Sequence, residues 1–372
     1  MTFYILLLWV VLYFCLRNYK YKTASKIFIF ITSIVLILVS GLRHEGVGID
    51  TYNYICSYEN IQYTSWDEIL HNFFQRAFIP KDYQDRDPGL SLIMKCLYTL
   101  GFTAREWLFF VASFLIVPLG IVVYRYSENL KVVLYSYVFY VALFYGYLPN
   151  SAVRQSVAFA FVLWAFLLLR NRLFVLAIIS ITLGAVIHRS AFIALSIIPF
   201  LFTKRTKLLY VLSIVLFFVI IVLQDRFVTL LLGDDNIYSE YNSYYSDNQQ
   251  GKPINIILLM IGHYLLSMFY VWKYRIFSLQ NRIIVLSSAA CFALTPLVWV
   301  DPSALRSISY YGVFVPMLFA MMCSNVRYGR FLLLMFIFVF LYYTYTQDSN
   351  YHFMWEQMDL PDNYFFYRKQ LQ

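Results

Sequence analysis

The chain has 372 residues, 61% of them hydrophobic and 13% charged, with a formal net charge of +9 and a mean hydropathy of +0.64. That balance lies outside soluble globular usage and predicts an all-α polytopic integral membrane protein, a single transmembrane domain over residues 1–372.

In chain order, "TFYILLLWVVLYFCL" begins at Thr2 with no basic leader and runs into Arg17 without a small-residue cleavage site. It predicts a first membrane helix rather than a cleaved signal peptide. Apolar runs that reach or approach the roughly 17–25 residues of a spanning helix predict crossings at 2–16, 26–42, 105–124, 131–148, 154–169, 173–187, 190–202, 207–223, 254–272, 282–300, 307–323 and 330–345, twelve in all. The segment 87–101, "DPGLSLIMKCLYTLG", has Lys95 in its middle and too little apolar length to cross, and predicts a re-entrant or interfacial helix.

The positive-inside rule orients this array. Loops after odd-numbered crossings carry 16 of the 29 basic residues and one of the 20 acidic ones, Glu128. The other side is left with the remaining 13 basic and 19 acidic residues. Both termini are therefore expected outside, with outer loops at 43–105 and 224–253 and an outer tail at 346–372. Net basicity then reflects topology and not nucleic-acid binding. A crossing at 87–101 would invert every later loop and put the cleanest basic loops outside.

Within the first outer loop, Trp66, Ile69, Leu70, Phe73, Phe74 and Phe78 recur at helical spacing against Asp67, Glu68 and Arg76, as in an amphipathic helix lying on a bilayer. The second loop interleaves Tyr238, Tyr241, Tyr244 and Tyr245 with acids and amides. It reads either as a glycan-contacting loop or as a polar loop with interfacial tyrosines. The five cysteines show no metal-ligand spacing, and Cys56 and Cys96 both fall on the outer side, with their pairing left open. No Walker A, G-x-G-x-x-G, H-E-x-x-H or G-x-S-x-G sequence occurs, which disfavours ATP-driven transport and serine hydrolysis.

Ionisable residues gather instead at the outer ends of helices. Arg43, His44, Glu45 and Asp50 follow the second crossing, and Arg154 and Gln155 open the fifth. His188 and Arg189 turn between the sixth and seventh, and Asp301 and Arg306 lie near the start of the eleventh. One such arginine is often a snorkelling anchor, and a histidine such as His263 inside an apolar run is more often a hydrogen-bonded bundle residue than a catalyst. Four arginines on the side that the positive-inside bias disfavours need a further reason, and anion binding supplies one. A diphosphate suits them: guanidinium forks hold phosphate oxygens bidentately and can stabilise a diphosphate leaving group where other enzymes use magnesium. A sugar hydroxyl attacking such a donor needs a base, and His188, Asp50 and Asp301 are the candidates.

The ordered series "GLRHEGVGIDTYNY", "DPGL", "AVRQS" and "VIHRSAF" resembles the EpsG/Wzy group of bacterial exopolysaccharide and O-antigen repeat-unit polymerases. In that group G-x-R-x-x-x-V-G-x-D-x-x-x-Y, D/E-P-G, R-Q and I-H-x-S elements recur. The matching residues are Gly41, Arg43, Val47, Gly48, Asp50 and Tyr54; Asp87, Pro88 and Gly89; Arg154 and Gln155; and Ile187, His188 and Ser190. An asparagine common three residues before the R-Q arginine is Ser151 here, with Asn150 one place off, and Arg189 stands where an aromatic is common. The resemblance implies a GT-C-like glycosyltransferase of the bacterial inner membrane that uses no cofactor or metal. It would move a growing glycan from undecaprenyl diphosphate onto the non-reducing sugar of another lipid-linked repeat unit, and it leaves open a chain-length regulator as partner. On this expectation Arg154 and Arg43 hold the diphosphate, Arg306 or Arg189 adds a further contact, and His188 or Asp50 is the base, with Gln155, Asp301 and Tyr54 lining the substrate. The rival readings are a lipid-linked oligosaccharide flippase, which would show two similar halves that this chain lacks, an O-antigen ligase with the same donor chemistry, and, more distantly, a glycan acyltransferase.

Overall fold

A computed structural model describes residues 2–48, 50–76, 88–146, 148–202, 206–223, 226, 254–274, 279–300, 305–325, 329, 331 and 351–356. Among these the architecture is all-helical, and the isolated antiparallel bridge between Arg43 and Phe353 lies outside the helices. In chain order the helices are α1 (Thr2–Leu16), α2 (Tyr21–Gly41), α3 (Thr51–Asn60), α4 (Trp66–Arg76), α5 (Pro88–Thr99), α6 (Ala104–Tyr126), α7 (Leu130–Tyr140), α8 (Val153–Arg170), α9 (Phe174–Ile187), α10 (Ile198–Leu201), α11 (Thr206–Val222), α12 (Ile254–Tyr274), α13 (Leu279–Val300), α14 (Leu305–Gly312) and α15 (Phe314–Asn325).

Three of them, α2, α6 and α8, are long and apolar enough to cross a membrane, and α14 with α15 form a fourth candidate bent by 43°. The bend divides the expected span 307–323. Pro316 sits in the first turn of α15, where its missing N–H costs nothing, but it could neither donate to the Gly312 carbonyl nor fit against it in a continuous helix. The expected span 190–202 is also not one α-helix. It is a 3₁₀ helix over Arg189–Ile197 followed by α10. At about 2.0 Å rise per residue the 3₁₀ stretch reaches further per residue than an α-helix, so a short segment covers more of the bundle's height. Span 131–148 begins as α7 and widens into a π-helical turn over Val141–Tyr145. Span 330–345 and the loop 224–253 lie almost entirely outside the described residues.

The core is built around α8, which is apolar on every face and 72% buried along its length, against 44% for α2. It packs on α6 and α9, while α2 lies against α6 and α15 against α7. Local signals set the starts. A capping box at Thr103 and Glu106 opens α6, with the Thr103 N–H donating to Glu106 Oε2 at 2.7 Å. Asn129 caps α7 by accepting from the Val132 N–H at 3.1 Å.

Helix α5 is held by the loop before it as well as by the end of α9. Lys95 is buried and its Nζ donates to the Ile61 and Thr64 carbonyls at 3.0 and 2.6 Å. In α4, Ile69 is buried while Trp66, Leu70 and Phe74 are exposed, so one apolar face of this amphipathic helix is open. Cys56 and Cys96 are not joined by a disulfide.

Two sets of contacts define the ends of the bundle. At one end Tyr21 Oη donates to the Ser127 carbonyl at 2.6 Å, Arg170 donates to the Arg125 carbonyl, Phe174 packs on Phe202, and Arg282 donates to the Leu201 carbonyl. Lys26 over Tyr124 and Arg170 over Tyr126 belong to this basic end. The opposite end carries the motif residues.

Candidate functional site

The motif end is assembled from short segments that helix termini bring together. The loop after α2 folds over the start of α8: Ser40 Oγ donates to Asn150 Oδ1 at 3.0 Å, and Thr51 Oγ1 donates to the Asn150 carbonyl at 2.6 Å. Gly48 makes this approach feasible, because its φ is +94° and a Cβ there would lie 1.9 Å from the Asn150 oxygen. Asp50 then begins α3 at the N-cap position, yet its side chain makes no capping hydrogen bond. A carboxylate at an N-cap ordinarily accepts from the first turn; this one does not.

One turn into α3, Tyr54 Oη accepts from Arg154 Nε at 3.2 Å. The guanidinium at the start of α8 is thereby fixed against the first motif. Its neighbour Gln155 points the other way and is buried. Its Nε2 donates to the Arg306 carbonyl at 2.7 Å and to Ser309 Oγ at 2.5 Å, which docks the start of α14 on the start of α8. Adjacent residues of the R-Q pair thus join two different partners, since successive helical positions face about 100° apart.

The His188 turn reaches the same place by two contacts. His188 leaves α9 in an extended conformation, φ −152° and ψ 110°, and Ser190 Oγ donates to Tyr310 Oη of α14 at 3.3 Å. On its other side Gly89 of α5 packs so tightly that a Cβ would lie 2.9 Å from the Val186 oxygen. Gly89 is thereby a packing surface for the end of the helix that leads into His188. Arg189 is exposed at the rim of this turn.

Arg43 is placed differently from the other arginines. Its side chain is fully buried, with Nη1 donating to the Ser40 carbonyl and to Ser40 Oγ at 3.0 Å, Nη2 donating to Thr51 Oγ1 at 3.4 Å, and Nε buried without a partner. Burial pushes the guanidinium down to about 10, so it remains charged at neutral pH. Its backbone is clamped as well: Arg105 Nη1 donates to the Arg43 carbonyl at 2.6 Å. The tail residues pair alongside, with His44 N–H donating to the His352 carbonyl and Met354 N–H to the Leu42 carbonyl, both at 2.8 Å.

The structure therefore brings Asp50, Tyr54, Arg154, Gln155 and the start of α14 with Arg306 into one linked set, places His188 on a turn attached to it, and puts Arg43 underneath. Asp301 and Asp87 lie outside the described residues. Sequence reasoning gave no role to Asn150, although its position one residue from the family's usual asparagine was the signal. It also gave none to Ser40, Thr51 or the tail residues 351–354. Among the described residues no group of three or more His, Cys, Asp and Glu side chains converges to hold a metal ion.

An all-helical membrane protein with a basic end and an opposite end where motif residues converge is the class this architecture defines. A family model described as the EpsG family matches residues 26–358, and the chain belongs to that family. Membership makes it a membrane protein of polysaccharide-polymerase type, in a family associated with glycosyltransferase activity. No curated protein and no solved structure matches it.

Proposed function

We propose that the protein is an oligosaccharide repeat-unit polymerase of the bacterial inner membrane, with twelve crossings and a GT-C-like architecture. It transfers a growing glycan from undecaprenyl diphosphate to the non-reducing sugar of a second lipid-linked unit at the periplasmic face. The observation that carries this reading is the linkage of Tyr54, Arg154, Gln155 and α14 at the end of the bundle opposite the basic loops.

In the proposed step the acceptor hydroxyl oxygen attacks the anomeric carbon of the donor sugar. The bond from that carbon to the diphosphate oxygen breaks, the hydroxyl proton passes to a base, and undecaprenyl diphosphate leaves with the bond's electron pair. Arg154, oriented by Tyr54, stabilises the charge that grows on the diphosphate, and Arg306 and Arg189 add positive charge around it. Asp50 or His188 takes the proton; Asp50 is supported by a carboxylate that does not cap its own helix. Asp301 and Gln155 complete the substrate lining in this proposal. Arg43, expected from the sequence to hold the diphosphate, is fully buried, which favours an indirect role.

Reconstitution of the purified protein with a lipid-linked repeat unit, without added metal or nucleotide, tests the reading. A ladder of extended glycans is expected. Movement of the substrate across the bilayer without extension would establish a flippase instead.

A further inference from the structure

Arg43 is the one candidate arginine whose side chain lies fully inside the protein, and its surroundings explain what it does there. The guanidinium reaches Ser40 at the end of α2 and Thr51 at the start of α3, eight residues apart in sequence from its own position to the latter. Both of those residues hydrogen-bond to Asn150, three residues before α8: Ser40 to its side chain and Thr51 to its backbone carbonyl. Each hydroxyl therefore serves two partners at once, accepting from Arg43 and donating to Asn150. With hydroxyl groups as the middle members, the network runs from α2 through Arg43 and Thr51 to the residues that precede Arg154.

The position of Arg154 relative to Asp50 and Tyr54 depends on this network. Asp50 immediately precedes Thr51, and Tyr54 lies one turn beyond it, so displacement of Thr51 from the Asn150 carbonyl moves α3 away from the start of α8. The same displacement would break the 3.2 Å contact from Arg154 Nε to Tyr54 Oη. A lipid diphosphate cannot reach Arg43 without taking this loop apart, since its backbone is held by Arg105 on one side and by tail residues 352 and 354 on the other.

We propose that Arg43 is a positioning residue: with Ser40, Thr51 and Asn150 it forms a buried latch that sets the distance between the loop bearing Asp50 and Tyr54 and the helix start bearing Arg154. The inference deepens the polymerase reading and rests on it for its catalytic consequence, though not for its geometry. Two roles for Arg43 make opposite statements about its neighbours. As a diphosphate ligand, Arg43 would act through its own charge, and neutral substitutions at Thr51 and Asn150 would leave turnover close to that of the parent. As a latch, Arg43 acts only through those neighbours, so removing one of their hydrogen bonds lowers turnover as removing the guanidinium does.

The test uses the full-length protein in two assays. In the first, kcat and KM for polymerisation are measured for Arg43→Ala, Thr51→Val, Thr51→Ser and Asn150→Ala, and for the Arg43→Ala/Asn150→Ala double variant. Thr51→Val keeps the shape and removes the hydroxyl, and Thr51→Ser restores it, so a folding defect is separated from loss of the hydrogen bond. The latch predicts about a 10- to 100-fold fall in kcat for Thr51→Val, a smaller fall for Asn150→Ala, which removes the Ser40 contact and keeps the carbonyl that Thr51 binds, a smaller change in KM in both, recovery in Thr51→Ser, and a double variant no worse than its weaker parent. Parental kcat in both Thr51→Val and Asn150→Ala, with a raised donor KM confined to Arg43→Ala, would overturn it.

The second assay needs no catalysis. A Tyr54→Cys/Arg154→Cys pair in a background without native cysteines is treated with a short bifunctional maleimide, and the linked peptide is measured by mass spectrometry. Linkage is expected to fall severalfold when Thr51→Val is added and to return with Thr51→Ser; unchanged linkage would sink the latch. A parent protein that makes no glycan ladder while the linkage pattern holds would refute the polymerase reading and leave the latch standing.

Discussion

Arg154 and Gln155 are neighbours with divided labour, and their chemistry explains the division. Arg154 spends Nε on Tyr54, which aims a planar, permanently charged fork. Arg154→Ala is expected to lower polymerisation by about 10²–10³-fold, the usual cost of removing one preorganised charge-stabilising donor, while the protein still inserts; parental chain length in this variant would reject Arg154 as a diphosphate contact. Arg154→Lys keeps the charge and loses the fork, so it too should fail to make long chains, and full rescue would mean that charge alone suffices. Gly48 is a residue-scale constraint of another kind. A side chain at φ +94° carries about 1–3 kcal/mol of strain, and a Cβ 1.9 Å from the Asn150 oxygen cannot be accommodated without moving the loop. Gly48→Ala should therefore lower the thermal midpoint in detergent and reduce polymer together.

At the level of elements, apolar run length marks where helices lie but not how they are built. Helix α5 illustrates this. Its Lys95 excludes it from a low-dielectric interior in sequence terms, and in the fold the ammonium group satisfies the Ile61 and Thr64 carbonyls of the adjoining loop. Lys95→Met should leave those carbonyls unpaired and destabilise the protein by about 1–3 kcal/mol, measurable as a lower unfolding midpoint, with the loop 61–64 becoming more accessible to protease. The bend between α14 and α15 follows from Pro316, and the 3₁₀ stretch after His188 compensates for a short segment. Both irregular elements meet at the site: Ser190 and Tyr310 join them, and Ser196 Oγ, two 3₁₀ turns further on, pairs with Tyr311 Oη at 2.8 Å.

At the scale of the described molecule, the placement of Lys26, Arg170 and Arg282 at one end and the motif residues at the other makes a testable geometric statement. Gln62 and Asn171 are exposed at opposite ends. In a background without native cysteines, Gln62→Cys should react with a membrane-impermeant maleimide added outside intact spheroplasts, and Asn171→Cys only after permeabilisation. Labelling of both from one side would break the proposed orientation. The tail adds a long-range feature to this end. Residues 351–354 return to the end of α2, where Tyr351 Oη donates to the Val39 carbonyl and Phe353 bridges Arg43.

The membrane class, the helical architecture and most helix positions follow from the sequence alone, because the cost of an unpaired backbone group in hydrocarbon forces long apolar runs into helices. The family was legible too, from four motifs in order, and so was the place of Asp50, Arg154, His188 and Arg306 at helix ends, from where the apolar runs stop. Contacts between those motifs were not legible. Nothing in "AVRQS" states that Arg154 turns to Tyr54 while Gln155 turns to Arg306, since a side chain's partner depends on which helices pack beside it. The difference between Arg43 and Arg154 was equally hidden, because both are arginines at the ends of apolar runs. Tertiary structure decided that difference by closing Ser40, Thr51, Asn150 and the returning tail around one guanidinium and leaving the other held at Nε by a tyrosine.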